Sequence, residues 1–231
     1  MLLADLRVLY LHGFASSPAS QKACFFKERL ASLDIGLEIP DLCDGNFERL
    51  TITGQLKIIE RAIESSRGNC EGLVLIGSSL GGYLAALYAS RHWEVNSLIL
   101  LAPAFQFSEL WANELGPERL ALWKQNGSMP VFHYAQGREV PIGYQLLEDA
   151  RRYEPFPAFS QPALIFHGTQ DPVVPVQYSL TFAHKHRNVR LVQLESGHEL
   201  TDVLEKIWKN VKKFLCGNQD HVNVRSLDPK C

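Results

Sequence analysis

The five residues Gly77-Ser78-Ser79-Leu80-Gly81 combine a potential nucleophile with the two glycines of a very tight turn. The apolar run Leu73–Ile76 precedes them and predicts a buried strand, and leucines recur at helical spacing from Leu80 onward. The strand therefore passes almost directly into a helix, with Ser79 at the apex and its hydroxyl clear of the sheet. Free N–H groups at the helix start favour negative charge there. This context is typical of a nucleophilic serine.

A serine hydroxyl needs a base to become a strong nucleophile, and two residues further along the chain provide a base and an acid. Asp171 follows the apolar segment Ala163–Phe166, and His198 follows Val189–Leu194. Because parallel strands end at one edge of a sheet, where ligands bind, distant residues can meet there. We predict Ser79 as nucleophile, His198 as general base and then acid, and Asp171 as the carboxylate that orients the imidazole.

Other serine and aspartate residues compete for the first and third of these roles. Ser78 lies one residue before the apex, so we expect its side chain to point away from the site. Asp202 lies at the start of the last predicted helix, where a carboxylate commonly stabilises free N–H groups. Asp149 lies within a predicted helix of the middle segment, where we expect it to be solvated. Position after a strand end favours Asp171 over both.

The remaining histidines considered have more ordinary interpretations. His12 and His167 each precede a glycine at a strand end, so we expect them to support loops. His184 and His186 lie near a helix C-terminus, where cationic character is favourable. His133 could touch substrate, although a histidine in a hairpin is more often half-exposed. Since no His, Cys and Asp residues have the spacing of metal ligands, we expect no metal site.

An acyl-transfer site also needs donors for the oxyanion, and two backbone N–H groups are candidates. One is the N–H of Leu80, the residue after the nucleophile. The other is the N–H of Phe14, in the loop after the first predicted strand. Gly13 would let that loop run close to the site. We predict that Phe14 and Leu80 form the oxyanion hole.

The segments that must position these residues alternate between apolar runs and amphipathic stretches. The predicted strands are Leu6–Leu11, Leu37–Pro40, Leu73–Ile76, Ser97–Leu101, Ala163–Phe166 and Val189–Leu194. Helical periodicity separates most of them. This alternation predicts an α/β fold, a mostly parallel sheet of about six strands with helices on both faces.

Regular alternation stops between about residues 103 and 157. This stretch is rich in proline, glycine and aromatic residues and predicts two short helices and a hairpin, Val131–Tyr134 against Arg138–Ile142. Because it is too long for an ordinary loop, we expect a small cap over the sheet edge, with most of its aromatics in its own core. The polar tail 217–231 is expected to be loosely held. Residues 1–231 are thus predicted to form a single domain with a cap insertion.

Composition excludes several classes of function. The 231 residues are 46% hydrophobic and 21% charged with a net charge of −2, which gives no reason to expect nucleic acid or an anionic membrane surface as partner. No apolar run is long enough for stable membrane insertion, and the first residues predict a strand, not a signal peptide. The five dispersed cysteines fit free thiols in a reducing compartment. We therefore expect a cytoplasmic protein.

Two motifs carry a resemblance to a known family. Leu11-His12-Gly13-Phe14 followed by Ser16-Ser17-Pro18, together with Gly77-Ser78-Ser79-Leu80-Gly81-Gly82-Tyr83, resembles the small YqiA-type esterases of the α/β-hydrolase superfamily. The likeness to the superfamily extends from Leu6 to about Leu215. The middle segment departs from the pattern of those esterases, which leaves the substrate class open.

The resemblance implies a serine carboxylester hydrolase that uses no cofactor and acts on short acyl esters, with Ser79, Asp171 and His198 as catalytic residues. An acyl-enzyme on Ser79 would be the intermediate, and the substrate would be a small-molecule acyl ester. A thioester is an alternative, because the same groups accept either leaving group. A non-catalytic ligand-binding protein on a hydrolase scaffold is a further alternative. The intact chain order of serine, acid and histidine argues against it.

Overall fold

The structure is a computed structural model that describes residues 6–65 and 72–217. The strands in these ranges are β1 (Leu6–Leu11), β2 (Leu37–Glu38), β3 (Gly72–Ser78), β4 (Val95–Leu101), β5 (Ser128–His133), β6 (Arg138–Gly143), β7 (Ala163–Gly168) and β8 (Val189–Leu194). The helices are α1 (Gln21–Ala31), α2 (Ile52–Ser65), α3 (Leu80–Ala89), α4 (Phe107–Asn126), α5 (Gln145–Ala150), α6 (Val176–Lys185) and α7 (Leu204–Gly217). The predicted tail lies outside the described residues except for Gly217, where α7 ends. No helix in the described ranges is long and apolar enough to cross a bilayer.

Six of the strands form one parallel sheet in the order β2-β1-β3-β4-β7-β8, which confirms the predicted fold class. All seven residues of β3 are buried, because helices cover this central strand on both faces. The chain moves outward from β1 to β2 and then returns to the other side of β1 to form β3. Connections after β1 and β3 therefore diverge, which opens a crevice at the strand ends where ligands bind in such sheets.

Side chains of alternate strand residues contribute to a separate core on each face of the sheet. Leu9 and Leu75 pack with residues of α2 and α3, whereas Tyr10 and Ile76 pack with residues of α1 and α7. Ser20 caps α1 by accepting a hydrogen bond from a backbone N–H of its first turn. The two cores hold the ends of β1, β3, β7 and β8 at one edge, from which the predicted site residues project.

The segment between β4 and β7, residues 102–162 (here called the insertion), contains α4, the β5–β6 hairpin and α5. The hairpin is antiparallel, as predicted. One predicted short helix corresponds to α5. The other is longer than predicted, because α4 runs for 20 residues with a kink at Gly116 (φ +69°) just before Pro117. Trp123 packs against Trp111 and Tyr144 and donates a hydrogen bond from Nε1 to the carbonyl of Ile142 (2.9 Å). Aromatic residues therefore supply much of the insertion's internal packing.

Asp149 ties the insertion to α2, and the expectation that it is solvated is wrong. One carboxylate oxygen accepts from the backbone N–H of Thr53 and the other from the Thr53 hydroxyl, both at 2.7 Å. Arg152 also pairs with this carboxylate (3.3 Å). Since Thr53 lies in the first turn of α2, Asp149 satisfies a free helical N–H from another element.

Replacing Asp149 by alanine should lower the free energy of unfolding by about 1.5–3 kcal/mol, because the Thr53 N–H loses a charged acceptor. Urea unfolding of Asp149→Ala measures the change. Glu148→Ala is the matched control, since Glu148 is the neighbouring carboxylate on the exposed side of α5. Equal stability of the two variants would contradict the tether.

Candidate active site

Ser79 occupies a strained backbone conformation between β3 and α3, with φ 52° and ψ −117°. Its N–H donates to the carbonyl of Leu101 (2.8 Å), and its carbonyl accepts from the N–H groups of Gly82 (2.9 Å) and Ala104 (3.0 Å). These bonds fix the turn from three directions. A residue other than glycine in such a region costs about 1–3 kcal/mol and persists where the surroundings hold it.

Gly77 and Gly81 flank the turn where other backbone segments leave no room for a side chain. A Cβ on Gly77 would lie 2.7 Å from the Cα of Gly82, and one on Gly81 would lie 2.6 Å from the carbonyl oxygen of His12. Both distances are far below ordinary contact. The close approach at Gly81 brings the loop after β1 against the start of α3.

Ser79, His198 and Asp171 form a continuous hydrogen-bonded series across three strand ends. The Nε2 atom of His198 is 3.0 Å from the Oγ of Ser79, and its Nδ1 atom is 2.7 Å from the Oδ2 of Asp171. The side chain of His198 is 12% exposed and that of Asp171 is fully buried. The structure thus brings together all three side chains that the sequence predicted for the site.

Four N–H groups surround the buried carboxylate of Asp171. Oδ1 accepts from the backbone N–H groups of Val173 (2.8 Å) and Val174 (2.9 Å), and Oδ2 lies near the imidazoles of His198 (2.7 Å) and His167 (3.2 Å). Burial by itself would raise the pKa of Asp171. Hydrogen bonds from His167 and His198, the charge of His198 and the Val174 N–H outweigh burial and lower that pKa below its ordinary value.

The competing serine and aspartates lie elsewhere. Ser78 is buried as the last residue of β3, one position before the apex. Asp202, in the short 3-10 helix before α7, accepts a hydrogen bond from the hydroxyl of Ser196 (2.5 Å). Asp149 is bound to α2, as described above. Neither of these two carboxylates is the partner of His198.

The loop after β1 runs directly over the serine. A Cβ added to Gly13 would lie 3.4 Å from the Cβ of Ser79. His12 holds this loop, because its Nε2 accepts from the N–H of Leu42 (3.1 Å) and its Nδ1 contacts the carbonyl of Gly13 (3.0 Å). The predicted donors Phe14 and Leu80 are the residues that directly follow Gly13 and Ser79.

Two buried side chains near the site had no catalytic assignment from sequence. His167, expected only to support its loop, contacts the carboxylate of Asp171 directly (3.2 Å). Lys22 is buried at the start of α1 and donates from Nζ to the carbonyl of Glu199 (2.9 Å), the residue after His198. Burial lowers the pKa of Lys22. The sequence signal for His167 was its position before Gly168 at a strand end. Lys22 had no such signal, because a lysine in an amphipathic helix is ordinarily exposed.

No group of three or more His, Cys, Asp or Glu side chains in residues 6–65 and 72–217 is arranged to hold a metal ion. The polar side chains next to Ser79 bind one another, since His198 contacts both the Ser79 hydroxyl and the Asp171 carboxylate. The arrangement offers a hydroxyl, a base and a buried carboxylate in series, together with nearby backbone N–H groups. These are the components of nucleophilic acyl transfer.

Comparison with protein families places the chain in a group defined by sequence. The model of the uncharacterised protein family UPF0227 matches residues 7–216. Monoacylglycerol lipase abhd6-B of Xenopus laevis is 28% identical over 178 residues, which are 74% of this chain and 48% of the lipase. The chain therefore spans about half the length of the curated relatives it matches.

Solved structures share the fold over almost the whole chain. Est1E from Butyrivibrio proteoclasticus, solved with ferulic acid bound, has a TM-score of 0.78 at 21% identity and covers 92% of this chain and 88% of its own. Alpha/beta hydrolase domain-containing protein 10 from mouse has a TM-score of 0.74 at 21% identity, with coverages of 94% and 89%. Together with the sequence matches, these structures identify an α/β-hydrolase superfamily member.

The strain at Ser79 predicts an unusual order of stability. Ser79→Gly should unfold with a free energy about 1 kcal/mol higher than Ser79→Ala, because both lose the hydroxyl but only alanine keeps a Cβ in the strained conformation. Chemical denaturation of both variants measures this. At Ser90, where φ is −64°, the glycine variant should instead be the less stable one. The same order at both positions would contradict strain at Ser79.

The lowered pKa of Asp171 predicts a pH-dependent contribution to stability. The pKa of Asp171 is lower in the folded protein than in the unfolded chain. The ionised carboxylate therefore stabilises the fold fully above its unfolded pKa, and this stabilisation is lost as pH falls through its folded pKa. The difference in unfolding free energy between wild type and Asp171→Asn should therefore be larger near pH 6 than near pH 3, by roughly 1 kcal/mol or more.

Denaturant titrations of both proteins at the two pH values measure this difference. Glu28→Gln is the control, because Glu28 is an exposed carboxylate on α1. A gap between wild type and Asp171→Asn that is independent of pH would contradict the hydrogen-bonded carboxylate.

Proposed function

The chain belongs to the uncharacterised protein family UPF0227 within the α/β-hydrolase superfamily, and from this premise we propose that it is a serine hydrolase of carboxylic esters. One observation carries the proposal. The hydroxyl of Ser79, on the strained turn, is 3.0 Å from an imidazole whose other nitrogen is 2.7 Å from a buried carboxylate. This geometry supports transfer of the hydroxyl proton to His198 as Ser79 attacks an ester carbonyl.

In the proposed reaction Ser79 is the nucleophile. His198 accepts its proton at Nε2 during attack and gives that proton to the departing alcohol, which leaves an acyl-enzyme. Water then attacks the acyl group, again with His198 as base. His198 returns the proton to the oxygen of Ser79 as the bond to the acyl group breaks, and the acid product leaves. Asp171 stays ionised throughout, holds the imidazole with Nδ1–H toward itself and stabilises the imidazolium. Its lowered pKa supports this role.

The N–H groups of Phe14 and Leu80 are the proposed donors to the oxyanion of each tetrahedral intermediate. Proximity of the Gly13 backbone to Ser79 supports this assignment. The ring of Phe14 packs 5.2 Å from that of Phe47 and 5.1 Å from that of Trp111, which restrains the loop before reaction. A restrained donor of this kind contributes about 3–4 kcal/mol to transition-state stabilisation.

Small-molecule acyl esters are the proposed substrates. The lipase relatives are named for monoacylglycerol, and the bound ligand of Est1E is ferulic acid, so both point towards carboxylic acids and their esters. The proposal includes no cofactor. A cytoplasmic location stays a prediction; Cys24, Cys43 and Cys216 in the described residues are free thiols.

Hydrolysis of p-nitrophenyl acetate tests the proposal. Ser79→Ala should reduce kcat by about four orders of magnitude or more, because the nucleophile is lost, and Asp171→Asn by a similar order, because the imidazole loses its orienting charge. Ser78→Ala is the matched control and should retain activity. Equal activity of wild type and Ser79→Ala would favour the non-catalytic alternative. Faster turnover of acetyl-CoA than of the acetate ester would identify the thioester alternative.

A further inference from the structure

His167 is a fully buried histidine with three polar neighbours, and the reaction outlined above does not use it. Its Nε2 atom lies 2.8 Å from the carbonyl oxygen of Val174 and 3.2 Å from the Oδ2 of Asp171. Its Nδ1 atom lies 2.7 Å from the hydroxyl of Ser179 on α6. Asp171 thus has an imidazole on each of two sides, one from β7 and one from the loop after β8.

The neighbours of His167 determine where its proton lies. A carbonyl oxygen can only accept, so the atom facing Val174, Nε2, must carry hydrogen. That N–H donates to the carbonyl of Val174 (2.8 Å), and Nε2 also lies 3.2 Å from the Oδ2 of Asp171. Ser179 can donate its hydroxyl hydrogen to Nδ1, which completes the hydrogen bonding of the ring. Because the Val174 carbonyl alone fixes hydrogen on Nε2, the N–H toward Asp171 does not depend on Ser179.

We propose that His167 is a positioning residue that fixes the Asp171 carboxylate and limits its basicity through the Nε2–H toward Oδ2. The inference rests on the proposed serine hydrolase function. Oδ2 is the same oxygen that accepts from His198 (2.7 Å), so the two imidazoles share one acceptor. The backbone N–H groups of Val173 and Val174 hold only the other oxygen.

Sharing the oxygen has a chemical consequence. A carboxylate oxygen that already accepts one hydrogen bond is a weaker acceptor for a second. His167 therefore weakens the interaction by which Asp171 stabilises the imidazolium of His198. Loss of His167 should leave Oδ2 more basic and less firmly held. His198 would then stay protonated to higher pH, and the rate of acyl transfer would fall because the imidazole is less well oriented.

Other charged groups near this carboxylate remain unchanged in such an experiment. Lys22 of α1 acts on Asp171 electrostatically and pairs with Glu199 (3.5 Å). His198 is the remaining titratable neighbour. A change in the pH profile on replacing His167 therefore reports the loss of its own hydrogen bond.

A purely structural role for His167 would be to join β7 to α6 through Ser179. Ser179→Ala separates this role from positioning, because it removes the bond to α6 and leaves the N–H toward Asp171. His167→Leu removes both interactions at similar volume. His167→Gln keeps an N–H close to the position of Nε2 and serves as the conservative rescue.

The test measures kcat and KM for p-nitrophenyl acetate across pH with the full chain. His167→Leu should lower kcat roughly 10- to 100-fold with little change in KM. The acidic limb of its kcat/KM profile should move to higher pH. His167→Gln should recover most of kcat and the wild-type limb, and Ser179→Ala should resemble wild type. An unshifted limb in His167→Leu, or the same loss in Ser179→Ala, would overturn the proposal.

A second measurement is independent of both turnover and the folding of His167→Leu. With 15N-labelled histidine, the Nε2 resonance of His167 should shift between wild type and Asp171→Asn, because its acceptor changes from carboxylate to amide. An unmoved resonance would overturn the positioning role even in an active enzyme. Absence of ester hydrolysis in wild type, with the resonance shifted, would instead overturn the proposed function and keep the contact.

Discussion

The structure depends on the absence of space at the turn between β3 and α3. A strand can pass into a helix there without a connecting loop only because Gly77 and Gly81 allow neighbouring backbones to approach within distances that a Cβ would occupy. The same approach forces Ser79 to φ 52°, lifts its hydroxyl from the sheet and sets the loop after β1 above it. The strain at this one residue is offset by the packing of the four buried strands β1, β3, β4 and β7 of the sheet.

A second constraint is electrostatic. A carboxylate without solvent contact is costly unless hydrogen bonds replace water, and Asp171 meets this condition with N–H groups from its own loop and from two histidines. In the proposed reaction this charge is in place before substrate binds, so no reorganisation would be needed when the imidazolium forms. Lys22 donates a hydrogen bond to the carbonyl of Glu199, the residue after His198, and so restrains the loop that carries the imidazole.

Sequence patterns predicted those parts of the molecule that follow from period and chain order. Six strands and the positions of Ser79, Asp171 and His198 at strand ends could be read from apolar runs and turn residues. Contacts between distant segments could not. Asp149 looked like a surface carboxylate because its partner, Thr53, lies 96 residues away on another element. His167 looked like a loop support, since nothing in its neighbours along the chain reveals a shared oxygen on Asp171.

The central claim is that folding alone activates the hydroxyl of Ser79. Peptide mapping by mass spectrometry after treatment with a fluorophosphonate measures this most directly, with native protein compared against protein unfolded in urea. We predict one phosphonate adduct, on Ser79, in the native protein and none after unfolding. An adduct on Ser78 or another serine in the native protein, or no adduct at all, would contradict it.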